Sequence, residues 1–246
     1  MKHSSKKTII VCAVNLVFCS SCSNNDRTSN RAPNTVPTVD WKRDVAIVVT
    51  PPTVHVEAFD PMKNRIYRKY HKFEVGYTTW DFHCRPEIKY YVCSTKDDPA
   101  GTKSIEIEVT GIKINLSTDI YEMYSSRATK FISAHEQGHV KICKDVYAHA
   151  NDAAQQAAHG VLEGKFQGTG KTLEEALRIA VEAAAEAFCK GYRAKTSDIV
   201  ANVSRRYDQI QDANLKMDPP TVVQQAQREL DPYFAGPTAS QSTKSK

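Results

Sequence analysis

The segment from Ser104 to Leu116 constrains the fold most, because its apolar residues alternate and it leads directly towards an amphipathic helix. Its first two isoleucines and Val109 fall on one face of an extended chain, whereas Glu106 and Glu108 fall on the other. Gly111 allows a bulge before the alternation resumes. The sequence therefore predicts a strand with one buried face.

Other segments with strand character precede this one; they are short, β-branched or aromatic, and broken by Pro, Gly or Asp. They are Val45 to Thr50, Thr53 to Phe59, Ile66 to Phe73, Tyr77 to Cys84 and Ile88 to Cys93. We expect them to form an antiparallel sheet with the alternating strand. The expected fold class is α+β, with this sheet in the N-terminal half packed on a C-terminal bundle of about three helices.

The first helix of that bundle is expected to begin between Ser117 and Ser126 and to run to about His159. Its apolar stripe recurs every three or four residues and comprises Phe131, Ile132, His135, His139, Ile142, Val146 and Ala150. Both histidines in the stripe should therefore point into the protein. Further helices are expected after Thr172 and from Ser197 to Ala213.

The pentapeptide His135-Glu136-Gln137-Gly138-His139 has the spacing of a zinc-binding motif. Two imidazoles four residues apart on a helix bind one zinc ion, and the intervening glutamate activates a water molecule as a general base. Two buried imidazoles without partners would cost of order a few kcal/mol, which favours a metal over a plain core position. Gly138 is costly inside a helix, so another element, such as a sheet edge, is expected to approach closely there.

A catalytic zinc ion usually takes a third protein ligand, for which the sequence offers several candidates. They are His149, His159, Glu182, Glu186 and Asp208, with Cys143 as a rival on the motif helix itself. Cys143 is about 12 Å from His135 by helical rise, too far to share one ion. The neighbouring Tyr207 and Asp208 together offer a ligand carboxylate and a phenol that can stabilise an oxyanion. The alternative interpretation is a packed tyrosine and a surface aspartate.

These motifs occur together in a known family. The alternating strand, HEQGH followed by Val140-Lys141-Ile142, and a later helix with Tyr207-Asp208 resemble the bacterial domain-of-unknown-function family of predicted secreted zinc-dependent proteases. The segment from Tyr77 to Phe82, with Thr79-Trp80, is similar to the upstream strand motif of that family. The resemblance covers roughly Tyr70 to Asn214 and implies a zincin-like fold and zinc-dependent hydrolysis.

One part of the family pattern is missing from this chain. The family continues its Tyr-Asp with two residues, then Thr, one residue, His and Gly, whereas here Ala213 stands in place of the His. If that His is the third ligand of the family, the site of this chain is weaker, completed by Asp208, or no longer catalytic.

The N-terminus has the features of a bacterial export signal. Three lysines, Lys2, Lys6 and Lys7, precede an apolar run from Thr8 to Phe18, too short for an ordinary membrane span. Small residues then precede Cys22, where either lipidation or simple cleavage nearby is expected. The sequence predicts a periplasmic protein, or a lipoprotein tethered to the membrane through Cys22.

Four cysteines remain in the mature part of the chain, and an oxidising compartment favours disulfides between them. Cys84 and Cys93 flank a short segment, and Cys143 and Cys189 lie in separate helical stretches. The predicted pairs are therefore Cys84 with Cys93 and Cys143 with Cys189.

The expected organisation is simple: one domain between a leader and a polar tail. The segments are a signal peptide (1–22), a flexible tether (23–40), one domain (41–217; β-rich over 41–116, helical over 117–217) and a disordered tail (218–246). Removing the three leader lysines leaves 30 basic against 28 acidic residues, so the mature protein is nearly neutral. No basic tract favours nucleic acid as a partner.

The sequence thus predicts an exported zinc metallopeptidase acting on a peptide or protein substrate. His135, His139 and Asp208 are its metal ligands, Glu136 its general base and Tyr207 its oxyanion donor. One alternative is a catalytically impaired zinc-binding pseudoenzyme that acts as an envelope interaction module. The other is a metal-independent structural lipoprotein whose helix is only core.

Overall fold

The computed structural model describes residues 44–59, 76–99, 101–126 and 128–230. These residues all fall in one compact unit. The predicted signal peptide and tether, and the predicted strand from Ile66 to Phe73, lie outside the described residues. Among the described helices, none is long and apolar enough to cross a bilayer.

Six strands and five helices make up the described part of the chain. The strands are β1 (Asp44–Val49), β2 (Thr53–Phe59), β3 (Gly76–His83), β4 (Glu87–Asp97), β5 (Lys103–Ser125) and β6 (Lys165–Gly170). The helices are α1 (Lys130–Tyr147), α2 (Ala150–His159), α3 (Leu173–Ala194), α4 (Ser197–Ala213) and α5 (Pro219–Glu229). The predicted strand from Thr53 to Phe59 and the predicted helix from Ser197 to Ala213 are confirmed.

Strand β5 is the central strand of the sheet, because each of the other five described strands pairs with it. The register places β6, β1 and β2 in succession along one edge of β5, and β4 and β3 along the other. Strands β1 and β2 are parallel to β5, whereas β3, β4 and β6 are antiparallel. In the described part of the chain, the sheet is therefore three strands wide at any point.

The predicted antiparallel sheet on a bundle of about three helices, and with it the zincin-like architecture, is wrong. Strands β1 and β2 both pair with β5 in parallel. The described residues also form five helices rather than about three. Alternation has a period of two in both kinds of sheet, so the pattern alone did not specify strand direction. The predicted helix start is also wrong, because β5 continues to Ser125 and α1 begins at Lys130.

The two faces of β5 differ in burial, and a bulge decides which residues face inwards. Across Thr110 the register against β4 shifts, next to the glycine where a bulge was predicted. Before the shift, odd-numbered residues such as Ile107 are buried; after it, even-numbered residues such as Ile114 and Ile120 are buried. The inner face of β5 therefore packs against the helices along its whole length.

The chain from Asp218 onwards was predicted to be disordered, and for residues 219–229 this is wrong. Asp218 caps α5, accepting a hydrogen bond from the backbone N–H of Thr221 at 3.1 Å. The two prolines occupy the first helical positions, where a missing N–H costs nothing. Val222 and Val223 are fully buried, so α5 belongs to the core.

The predicted disulfide pairs are also wrong. Cys84, just after β3, is bonded to Cys189 of α3, with their Cα atoms 5.7 Å apart. Cys93 and Cys143 are free thiols. Cys143 is fully buried in α1, and this burial raises the pKa of its thiol to about 12. The disulfide therefore ties the C-terminal end of β3 to the helical layer.

Candidate metal centre

Helix α1 brings both motif histidines to α4. Thr129 caps α1 by accepting a hydrogen bond from the backbone N–H of Ile132 at 3.3 Å. One turn later, His135 and His139 lie edge to face, with ring centroids 5.0 Å apart. Their side chains are 22% and 10% exposed, so the predicted inward orientation is what the structure has.

Asp208 of α4 meets both rings at one oxygen atom. Its Oδ1 lies 3.4 Å from Nε2 of His135 and 3.0 Å from Nε2 of His139. The three donor atoms all lie within 4.8 Å of one another. Ligand atoms about 2.0–2.1 Å from a tetrahedral zinc ion stand roughly 3.3 Å apart. The arrangement therefore fits one ion at the common centre of these atoms.

Neither contact to Asp208 has the geometry of a hydrogen bond, and its buried Oδ1 has no hydrogen-bond partner among the described residues. Burial would raise the pKa of this carboxyl, but the two histidines outweigh that effect and hold the pKa at about 2. Asp208 is therefore an anion at neutral pH, as a metal ligand must be.

Tyr207 packs against both histidines from the next position of α4. Its ring stacks on His135 and stands edge-on to His139, with both centroid distances 4.9 Å. Its hydroxyl donates a hydrogen bond to the backbone carbonyl of His135 at 3.1 Å, and the residue is fully buried. In this conformation Tyr207 packs on both histidine rings, and its hydroxyl is engaged by the His135 carbonyl.

The close approach expected at Gly138 is made by Tyr207, not by a sheet edge. A Cβ atom at position 138 would lie 2.6 Å from Cζ of Tyr207 and would collide with its hydroxyl. Glycine is therefore required here so that α4 can bring Tyr207 and Asp208 up to α1.

Glu136 points towards the sheet and is 5% exposed. Thr78 of β3 donates a hydrogen bond from Oγ1 to its Oε2 at 2.8 Å. Burial raises the pKa of Glu136, while Thr78 and the two histidines lower it and the charge of Asp208 raises it further. The general base predicted from the motif is thus enclosed between α1 and β3.

A second buried carboxyl, Glu122 of β5, was not found from the sequence. It stands opposite Thr78 in the register and is 5% exposed. Its Oε1 has no hydrogen-bond partner among the described residues. Burial raises the pKa of Glu122, and the nearby charge of Glu136 raises it further. Glu122 continues the alternation of buried positions in β5 beyond Leu116. This signal was missed in the sequence because a helix was expected there.

The other candidate ligands do not join the site. Glu182 forms an exposed ion pair with Arg178 at 2.8 Å, and Cys143 lies in the core. Within the described ranges, the group of His135, His139 and Asp208 is the only set of three such residues whose ligand atoms converge. Ala213, where the family has His, is exposed at the end of α4.

The outer face of the sheet carries another histidine and carboxylate cluster that the sequence did not reveal. Asp119 of β5 binds His55 of β2 through Oδ1 at 3.0 Å and His83 of β3 through Oδ2 at 2.8 Å. His55 also stacks on Tyr121, with ring centroids 4.7 Å apart. Hydrogen bonds to His83 and then His55 lower the pKa of Asp119.

Comparison with protein-family models, curated proteins and solved structures finds no match to this chain. The resemblance to secreted zinc-dependent proteases therefore stays a prediction, which depends on HEQGH and on Tyr207-Asp208.

Proposed function

We propose that this chain is an exported zinc metallopeptidase that hydrolyses peptide bonds in the periplasm or at the membrane surface of a bacterium. The observation that carries the proposal is the convergence of His135, His139 and Asp208 on one point, beside the buried Glu136. Export is supported by the sequence, through the basic and apolar leader that ends near Cys22.

Each residue has a distinct role in this proposal. His135 and His139 would hold the ion through Nε2, and Asp208 would hold it through Oδ1. Bound there, zinc would supply Lewis-acid polarisation of a peptide carbonyl and of a water molecule. Glu136 would accept a proton from the water that attacks the carbonyl carbon, and would return it to the leaving amine nitrogen as the C–N bond breaks.

The position of Asp208 supports the proposal even though Ala213 stands where the family has a His. A His at that position is not needed if a carboxylate already completes a set of three ligands. Oδ1 of Asp208 lies 3.4 Å and 3.0 Å from the Nε2 atoms of His135 and His139, so this carboxylate is placed to act as the third ligand.

The proposal is tested with mature protein whose Cys84–Cys189 bond is intact. We expect one zinc ion per chain and cleavage within a broad peptide library. Glu136→Gln should keep the zinc and lose at least about 100-fold in turnover, the usual contribution of a general base. The matched control is Glu122→Gln, which changes the other buried carboxyl and should keep turnover.

Two results would contradict the proposal: no zinc bound by the intact protein, or unchanged turnover in Glu136→Gln. Loss of turnover in Glu122→Gln, with Glu136→Gln unaffected, would indicate that Glu122 of β5 is the general base.

One observation favours a second candidate, a zinc-binding pseudoenzyme that acts as an envelope interaction or structural protein. The Tyr207 hydroxyl is already bonded to the His135 carbonyl, so the predicted oxyanion donor is engaged elsewhere. Stoichiometric zinc without cleavage of any library member would support this candidate over the peptidase.

A further inference from the structure

We propose that Thr78 is a positioning residue that fixes the Glu136 carboxylate for proton transfer. The inference depends on the proposed hydrolytic function. Thr78 lies on β3, far from the HEQGH motif in the sequence, and is absent from the residues that the motif predicts. Its Oγ1 lies 2.8 Å from Oε2 of Glu136 and 3.3 Å from the backbone carbonyl oxygen of the same residue.

The hydroxyl of Thr78 is the donor on which the Glu136 carboxylate depends. Within the described ranges, it makes the only side-chain hydrogen bond to that carboxylate. Glu136 is 95% removed from solvent, so water does not readily replace the bond if it is lost. A hydrogen bond to an ionised, buried acceptor is among the stronger ones in proteins and restricts the geometry of the acceptor.

Gly76 encloses the same carboxylate from a second side. It lies two residues before Thr78 and so faces the same side of β3. A Cβ at this glycine would lie 2.8 Å from Oε1 and 2.9 Å from Cγ of Glu136. One carboxylate oxygen is thus bonded to Thr78 while the other lies against the backbone of Gly76, which limits rotation of the side chain.

Strand β3 is a rigid support for this contact. All eight of its residues, Gly76–His83, pair with β5, and the strand is followed at once by the Cys84–Cys189 bond to α3. Trp80 packs against the main core. A donor on such an element holds its acceptor more precisely than one on a loop. Thr78 does not ligate the ion, so its loss should affect proton transfer and spare metal binding.

The test compares Thr78→Val, which keeps the shape and removes the donor, with Thr78→Ser, which restores the hydroxyl. Thr79→Val is the matched control, since Thr79 is exposed on the opposite face of the same strand. Thr78→Val should lower kcat about 10- to 100-fold, the loss expected for a hydrogen bond to a charged group. The KM and the zinc Kd should change less than about 2-fold, Thr78→Ser should recover most of kcat, and Thr79→Val should behave as wild type.

Two kinetic results would overturn the inference. One is an unchanged kcat in Thr78→Val. The other is a parallel loss of kcat and zinc affinity that Thr78→Ser does not restore, because that pattern indicates a purely structural role.

A second measurement separates this inference from the proposed function. In protein labelled with ¹³C at glutamate carboxyls, the Glu136 resonance is assigned by its disappearance in Glu136→Gln. Thr78→Val should shift that resonance, and Thr79→Val should not. If the wild type cleaves no peptide but the shift is seen, the peptidase proposal fails and the Thr78 contact stands; if no shift is seen, the inference on Thr78 fails whatever the activity.

Discussion

Among the described residues, two clusters contain a pair of histidines and one aspartate, and they differ in how the atoms meet. In the inner cluster of His135, His139 and Asp208, both Nε2 atoms approach the same oxygen, Oδ1. In the outer cluster of His55, His83 and Asp119, each histidine binds a different oxygen of the carboxylate. The ligand atoms of the inner cluster therefore lie around one point, whereas the contacts of the outer cluster link three strands of the sheet.

The difference teaches that composition alone does not define a metal centre. The outer contacts are satisfied hydrogen bonds between partly exposed groups, and they link β2 and β3 to β5. The inner contacts lack hydrogen-bond geometry, and Asp208 Oδ1 is buried with no hydrogen-bond partner in the described part of the chain. Such a polar atom is costly unless a cation satisfies it. We therefore propose metal binding at the inner cluster and structural bridging at the outer one.

The largest expected effect is a loss of zinc affinity when Asp208, but not Asp119, is replaced. Asp208→Asn should weaken zinc binding by more than about 100-fold, because even the loss of residues that only support metal ligands costs 10- to 100-fold. Asp119→Asn should leave the affinity within about 2-fold of wild type. Isothermal titration with a competing chelator measures both. Equal losses in the two variants would erase the distinction between the clusters.

The next effect is the stabilisation that zinc gives to the folded state. At free zinc 100-fold above its Kd, the free energy of unfolding should rise by about 2.7 kcal/mol over chelated protein. At the same free zinc, the increment should fall to about 0.4 kcal/mol or less in Asp208→Asn and persist in Asp119→Asn, as urea denaturation with and without chelator would reveal. Stability that does not respond to chelator in the wild type would favour a metal-independent core helix.

A smaller effect tests the packing that holds the inner cluster together. Replacing a mid-helix glycine by alanine usually stabilises a helix by about 1 kcal/mol. Gly138→Ala should instead cost about 1–3 kcal/mol, because the new methyl group overlaps Tyr207. Thermal denaturation measures the change, and Gly160→Ala is the control, since its nearest neighbouring atom would be 3.4 Å away. A stabilised Gly138→Ala protein would show that Tyr207 does not need this space.

The smallest effect concerns acid stability and belongs to the outer cluster. The pKa of Asp119 is lowered in the folded state, so its contribution to stability is present above the ordinary aspartate pKa of about 3.9 and is lost as pH falls through the folded value. The difference in urea midpoint between wild type and Asp119→Asn should therefore shrink below about pH 4. A difference that stays constant from pH 6 to pH 3 would contradict the bridging role.

The sequence predicted the parts of the site that depend on local spacing. The spacing in HEQGH places two rings and a carboxylate on one helix, and helical periodicity indicated that the rings face inwards. Asp208 was one of several candidate third ligands in the sequence, and the resemblance drew attention to the Tyr207-Asp208 pair. The structure brings Asp208 to the two rings but gives Tyr207 a different partner, because the direction of a hydroxyl depends on how α4 packs against α1.

The rest depends on contacts between distant segments, which spacing does not encode. The helix was expected to begin between Ser117 and Ser126, where hydroxyl groups and Asp119 can cap a helix, yet the same residue types also occur in a strand, and β5 continues to Ser125. That error hid Glu122 and the outer cluster. Cysteine partners likewise depend on which elements become neighbours, so Cys84 was assigned to the nearest cysteine instead of Cys189.

The most direct test of the central claim is anomalous diffraction at the zinc edge from crystals of the zinc-loaded mature protein. We expect one strong peak, about 2.0–2.1 Å from Nε2 of His135 and His139 and about 2.0–2.2 Å from a carboxylate oxygen of Asp208. A peak at His55, His83 and Asp119 in its place, or no ordered zinc at either cluster, would contradict the assignment of the inner cluster as the metal centre.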